Sequence, residues 1–180
     1  VIGTISTWGR MVKFPHSIFA LPFALSGAVL ATRNHGVTWP QVVWVVAAMV
    51  CARNAAMGFN RLVDRKLDVT NPRTAGRDLP AGTLATGPVW LFTLLLLAGF
   101  VFSAWKLNRL CFLLSPAAIA VILGYSYTKR FTWASHLFLG LALGIAPVGG
   151  WLAIAGRFDT APWLLAAAVL FWVAGFDVIY

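Results

Sequence analysis

The sequence contains no glutamate. All five of its acidic residues are aspartates, against fourteen lysines and arginines, and the formal net charge is +9. In a soluble protein that imbalance points to nucleic acid as a partner. Here only 11% of the chain is charged, 60% is hydrophobic and the mean hydropathy is +0.82. So little charge excludes an ordinary soluble domain of this length, and the nucleic-acid reading goes with it. The basic excess is assigned instead to loops on one side of a membrane and to an anionic substrate. Cysteine is scarce too. Cys51 and Cys111 lie in apolar runs without metal-ligand spacing and read as packing residues. No small-residue cleavage site leads from the apolar run Ala20–Ala31 into a soluble domain, so that run is not read as a cleaved signal peptide. The chain starts on Val1 and stops on Tyr180 inside an apolar run, and is read as a piece of a longer protein, cut at both ends.

What is present is a series of apolar runs close to or above the length that crosses a bilayer. Six spans are predicted: Ser17–Thr32 (starting nearer Met11), Thr38–Asn60, Thr86–Trp105, Leu110–Tyr127, Trp133–Ala155 and Ala161–Tyr180. The expected fold is all-α, a polytopic transmembrane helix bundle forming one domain over residues 1–180. Pro40 and Pro162 suit first helical turns. Pro22, Pro116 and Pro147 fall inside spans and predict kinks. Trp8, Trp39, Trp90, Trp105, Trp133 and Trp163 fall near span ends, as an aromatic belt does.

Span parity sorts the charges. Arg10, Lys13, Arg53, Arg61, Arg65, Lys66, Arg73, Arg77, Lys129 and Arg130 share one side; Arg33, Lys106, Arg109 and Arg157 take the other. The first side is therefore cytoplasmic, and it holds the N-terminus and the loop after the second span. Asp64, Asp68, Asp78 and Asp177 lie there too, and Asp159 opposite.

The chemistry is concentrated in Arg53–Gly82, where the chain stops being oily. Asn60, Asp64 and Asp68 are spaced by four, which on a helix turns each side chain about 40° from the last and lifts it about 6 Å. One amide and two carboxylates then share a face, beside Arg61, Arg65, Lys66, Arg73 and Arg77. Carboxylates so placed suit Mg²⁺, and guanidinium groups suit phosphate. The competing reading is a basic loop that only sets topology. Against it, Arg53 and Asn54 carry the polar face back into the apolar helix, where charge is expensive. A weak repeat also shows: Gly58-Phe59-Asn60 ends the second span and Gly175-Phe176-Asp177 ends the sixth.

Asn60-x-x-x-Asp64-x-x-x-Asp68, followed by Asn71-Pro72-Arg73-Thr74 and Arg77-x-Leu79-Pro80-x-Gly82, resembles the first motif of the UbiA-type intramembrane prenyltransferases. Tyr125-x-x-x-Lys129-Arg130 resembles that family's stretch at the end of the fourth helix, and the segment Lys13 to Leu25 its first helix. Asp177 with Tyr180 resembles the start of the second aspartate motif, whose later acids lie beyond this chain. The resemblance covers nearly the whole chain and implies the first six of nine transmembrane helices. It implies transfer of a polyprenyl group from polyprenyl diphosphate to a small aromatic acid, with Mg²⁺ as cofactor and 4-hydroxybenzoate as the expected acceptor in quinone biosynthesis, at a bacterial inner membrane. Asn60, Asp64 and Asp68 would hold one Mg²⁺, and Asp177 a second. Arg65, Arg73 and Lys129 would contact diphosphate. Tyr125 would bind diphosphate or belong to the aromatic belt. Lys13 would take the acceptor carboxylate or simply snorkel, and His16 would bind acceptor or water or pack. Lys129-Arg130 alternatively anchors the helix end. Arg53 and Arg77 would stand behind the carboxylates as partners, and Asp78 would orient the loop. His35, His136 and Asp159 attract no role. Haem, dihydroxynaphthoate or chlorophyllide is the alternative acceptor. A transporter is the rival of another class, and it would carry its charges near mid-span rather than at one face. A soluble isoprenyl synthase is excluded by hydropathy.

Overall fold

The structure, a computed structural model, describes residues 7–9, 11–12, 14–128, 130–132 and 134–179; the side chains of residues 14–20 lie outside that description. Among the described residues, after a short helical stretch at 7–9 and 11, six helices with defined bounds follow in order: α1 (Phe14–Thr32), α2 (Trp39–Thr70), α3 (Thr86–Leu107), α4 (Arg109–Thr128), α5 (Ser135–Ala155) and α6 (Thr160–Ile179). The chain is thus an all-helical bundle, as its hydropathy predicts. Helices α2 to α6 are each long and apolar enough to cross a membrane, and α1 contributes the apolar stretch Leu21–Thr32. Pro40 and Pro162 sit in the first turns of α2 and α6, where a missing N–H costs nothing. Thr38 opens α2, its backbone N–H donating to Gln41 Oε1 at 2.9 Å. Pro22, Pro116 and Pro147 lie inside α1, α4 and α5.

Helix α2 is the longest, at 32 residues. At 1.5 Å per residue it runs about 48 Å, against roughly 30 Å of hydrocarbon. With Trp39 at one interface, the apolar core ends near Asn60, and Asp64 and Asp68 stand in the headgroup region or beyond. Past the membrane-spanning part at Asn60 the helix runs on through the polar motif, unbroken to Thr70, and the three motif residues share one rigid rod.

Helix α5 is the hub, packing against α1, α4 and α6. Its glycines explain how. A Cβ at Gly150 would strike the backbone of Ala24 in α1, and one at Gly27 of α1 would strike the backbone of Pro147. On its other side Gly140 meets the backbone of Leu170 and Gly144 that of Ala166, both in α6. Lipid tails supply no hydrophobic force between helices, so close backbone approach at small residues is what holds such elements together. Around the outer end of this seam Ala28, Ala31, Val148, Trp151, Leu152 and Ile154 form a buried cluster. Asn108, between α3 and α4, fastens there as well. Its Nδ2 donates to Leu152 O at 2.7 Å and its Oδ1 accepts from Cys111 N–H at 2.9 Å. Leu94, Leu95 and Phe102 of α3 and Leu164 and Phe171 of α6 are exposed, and in a bilayer they meet acyl chains.

Gly76 lies exposed in the α2–α3 loop with nothing within 4 Å of an added Cβ. In the background Cys51→Ala/Cys111→Ala, Gly76→Cys is expected to react in intact cells only with a membrane-permeant thiol reagent. Modification by an impermeant reagent would place this loop, and the aspartates beside it, outside the cell.

Candidate active site

The inner end of α2 buries two carboxylates. Asp64 is 5% exposed and Asp68 7%. Ionised groups so enclosed need partners, and guanidinium groups reach them from three segments. Arg77, in the loop after α2, sets Nη1 2.9 Å from both oxygens of Asp68. Arg130, just past α4, donates from Nη2 to Asp64 Oδ1 at 3.4 Å and to Val63 O at 2.7 Å. Arg61, itself buried, lies within electrostatic reach of Asp64, Asp68 and Asp78, and its Nε donates to Met11 O at 3.4 Å.

The loop is built to bring Arg77 back. Asn71 ends α2; its Oδ1 accepts from Arg73 N–H at 3.0 Å and its carbonyl from Thr74 N–H at 2.9 Å. The Thr74 hydroxyl then donates to Asp68 O at 3.1 Å. Further on, the Thr83 hydroxyl donates to Asp78 O at 2.8 Å, and Gly82 turns the chain at φ 74°. A positive φ at that turn favours glycine.

Behind this cluster a cavity of about 710 Å³ runs between α2, α4, α5 and α6. Arg53, Asn60, Tyr125 and Asp177 make its polar inner end. Elsewhere its walls are apolar, through Met49, Leu114 and Ile122 to Cys111, Phe158 and Trp163 at the outer end. Tyr125 lies within electrostatic reach of Asp177, Arg53 and Asp64, and so stands between the two acidic sets. Asn60 Nδ2 points to Ser126 Oγ at 3.5 Å. Asp177 Oδ2 lies 2.7 Å from Nδ1 of His136, in the first turn of α5.

Measured against the sequence reading, Asn60 and Asp177 line one cavity, while Asp64 and Asp68 lie beside its inner end, held by arginines. Arg65 and Arg73 are exposed, on the outer side of the helix and loop. Arg53, expected behind the carboxylates, instead lines the cavity beside Tyr125. Lys13, Lys129 and Tyr180 lie outside the described residues, as does the side chain of His16. The glycine-phenylalanine repeat holds only at its polar position. Gly58 lies close against Thr93, whereas a Cβ on Gly175 meets nothing within 4 Å, and Phe176 lines the cavity whereas Phe59 meets Trp90 and Tyr127 edge to face. Three contributors take parts that the sequence reading did not assign: Arg61, there only one of the charges beside the face; Arg130, there part of the helix-end motif; and His136, there without a role. Arg61 was findable, standing three and seven residues before Asp64 and Asp68 on one face. So was His136: it and Asp177 lie at nearly equal distances from the α5–α6 turn. Arg130 had no signal separating it from Lys129.

Among the described residues no three His, Cys, Asp or Glu side chains converge as a closed metal cage. The donor set nonetheless fits Mg²⁺: all oxygen and few, with Asn60 and Asp177 on the cavity wall and Asp64 and Asp68 beside it. That ion usually takes one or two carboxylates and completes its shell with water and phosphate.

Fold and site define a polytopic membrane protein with an apolar chamber closed at one end by carboxylates and guanidinium groups. The chain belongs to the UbiA prenyltransferase family, matched over residues 20–180. It is 35% identical over 135 residues to the 4-hydroxybenzoate octaprenyltransferase of Tolumonas auensis, an alignment covering 74% of this chain and 47% of that protein. It is 31% identical over 173 residues to the protoheme IX farnesyltransferase of Vibrio vulnificus, covering 93% and 56%. The chain thus spans about half the length of these curated relatives. Among solved structures, the UbiA homolog from Aeropyrum pernix K1 superposes with a TM-score of 0.86 at 38% identity, covering 92% of this chain and 62% of that one. A UbiA homolog from Archaeoglobus fulgidus shares the fold at a TM-score of 0.75 and 22% identity, covering 94% and 61%.

Arg77→Met leaves the buried Asp68 without its guanidinium partner. Removing one member of such a pair costs roughly 3 kcal/mol, and the expected result is a clear fall in thermal stability of the purified protein, partly restored in Arg77→Met/Asp68→Asn. An unchanged melting profile for Arg77→Met would show that the pair bears no load.

Proposed function

We propose that the full-length protein transfers a polyprenyl group from its diphosphate to a small aromatic acid, 4-hydroxybenzoate, at the cytoplasmic face of a bacterial inner membrane. The observation that carries this reading is the cavity, apolar along most of its length and ending in Arg53, Asn60, Tyr125 and Asp177. A chamber so divided suits a substrate with a long apolar tail and an anionic head. The relatives support the reading: one is a 4-hydroxybenzoate octaprenyltransferase, and the Archaeoglobus structure is bound to DMAPP and Mg²⁺.

Asn60, Asp64 and Asp68 would hold one Mg²⁺, and Asp177 would belong to the site of a second. When bound, Mg²⁺ neutralises the charge that builds on the leaving diphosphate. The chain's own groups do the rest. Arg77 and Arg130 pair with the carboxylates and align them, and Arg61 adds positive charge nearby. Tyr125, and in this reading Lys129, donate to diphosphate oxygens, where fixed donors lower the barrier to C–O cleavage; Arg65 and Arg73, exposed on the outer side, are not assigned that contact. The apolar walls keep water from the allylic carbon, so the cation left by ionisation meets the acceptor ring instead. Aromatic faces such as Trp172 and Phe176 along the same cavity stabilise it. Lys13 and His16 are the groups assigned to the acceptor carboxylate.

A haem acceptor is the second reading, favoured by one observation: the farnesyltransferase relative aligns over 93% of this chain, the octaprenyltransferase over 74%. Membranes holding the full-length protein, given labelled polyprenyl diphosphate with a panel of aromatic acids or with protohaem, separate the two. Labelled product is expected with 4-hydroxybenzoate. Label passing only to protohaem would replace the acceptor, and no transfer to any would sink the reading. In the active assay, Asp64→Asn and Asp68→Asn are each expected to lower turnover by at least about 10²-fold, the scale of losing one charge-stabilising group. Near-normal turnover in both would remove these residues from the chemistry.

A further inference from the structure

The geometry points to His136 as a positioning residue that holds the Asp177 carboxylate toward the cavity. This builds on the role proposed for Asp177 in prenyl transfer. The two side chains come from opposite ends of a helical hairpin, His136 in the first turn of α5 and Asp177 in the last turn of α6. Their separation, Nδ1 to Oδ2, is 2.7 Å, at the short end for a charge-assisted N–H···O bond. Each side chain is 38% exposed, so neither is simply trapped by packing. What sets their meeting is the seam above. With Gly140 against the Leu170 backbone and Gly144 against that of Ala166, α5 and α6 have no room for a Cβ between them and hold one register. That register carries His136 to the level of Asp177.

An aspartate on an otherwise apolar helix swings about χ1 and χ2 and chooses among several directions. A hydrogen bond from Nδ1 to Oδ2 removes that choice. It occupies one oxygen and leaves Oδ1 free to face the polar end of the cavity that Asp177 shares with Asn60, Tyr125 and Arg53. Carboxylates that bind a metal are commonly fixed in this way by a partner behind them. Losing such a partner typically weakens metal binding 10–100-fold.

The test uses the full-length protein in nanodiscs with an unreactive prenyl thiolodiphosphate, and reads Mn²⁺ binding by electron paramagnetic resonance. In His136→Asn the side-chain amide N–H stands where Nδ1–H stood, so binding is expected to stay close to that of the unmodified protein. In His136→Gln the amide lies one bond further out and misses Oδ2; in His136→Ala it is gone. Both are expected to weaken Mn²⁺ binding about 10–100-fold. If the alanine protein does not accumulate, the comparison of asparagine with glutamine carries the test. Equal weakening in asparagine and glutamine, or wild-type binding in glutamine and alanine, overturns the proposal. Asp177→Asn separates the two ideas. If it binds Mn²⁺ like the unmodified protein, Asp177 holds no metal and both fall. If it loses binding while His136→Gln keeps it, Asp177 stands and the positioning role alone fails.

Discussion

Two carboxylates buried one helical turn apart repel each other, and each needs a cation. That requirement organises the inner end of the molecule. Asp64 and Asp68 sit at 5% and 7% exposure on one face of α2, and no single neighbouring helix satisfies both. Arg77 returns from nine residues downstream; Arg130 arrives from the α4–α5 turn. The loop after α2 is therefore a structure in its own right, with a capped start, a threonine hydroxyl on Asp68 O and a glycine turn. It exists to deliver a guanidinium group. The same pairing draws the α4–α5 turn against α2, beside the inner end of the cavity.

The cavity itself follows from unequal packing. On one side α5 meets α1 and α6 at backbone distance through glycine, and nothing larger fits. On the other side, toward α2 and α4, the helices stand further apart, and a space of about 710 Å³ remains. Tight contact in one direction and loose contact in the other are two results of one distribution of small residues. A bundle packed evenly all round would have no chamber.

Much of this was legible before any coordinates. Hydropathy alone separates the six helices, because a bilayer demands long apolar runs and the loops break them sharply. The spacing of Asn60, Asp64 and Asp68 is local, and a helix turns local spacing directly into a shared face. Pairings across the bundle were not legible in the same way. That Arg130 reaches Asp64 depends on the angle at which α4 ends, which composition does not contain. Arg65 and Arg73 look as suitable as Arg77 by charge, yet the loop's hydrogen bonds turn Arg77 inward and leave those two exposed. His136 was passed over because a histidine at a helix start carries no pattern of its own. Only the hairpin, with its short turn and glycine register, makes its distance from Asp177 countable.

Arg53 then gains a meaning that its position in the sequence did not convey. It stands seven residues before Asn60, so it lies about 10 Å deeper along α2, within the apolar thickness. A guanidinium group facing lipid at that depth is costly, and Arg53 does not face lipid; it lines the cavity with Tyr125 near it. The polar end of the chamber is consequently deep rather than a thin rim. Aspartates and arginines mark its mouth, and a lone cation and a phenol mark its floor. An anion that entered from the headgroup side would meet Arg53 and Tyr125 at that depth, while an apolar tail attached to it would continue into the outer part of the chamber. Head and tail are thus sorted by one helix, whose charged residues begin well before its membrane-spanning length has ended.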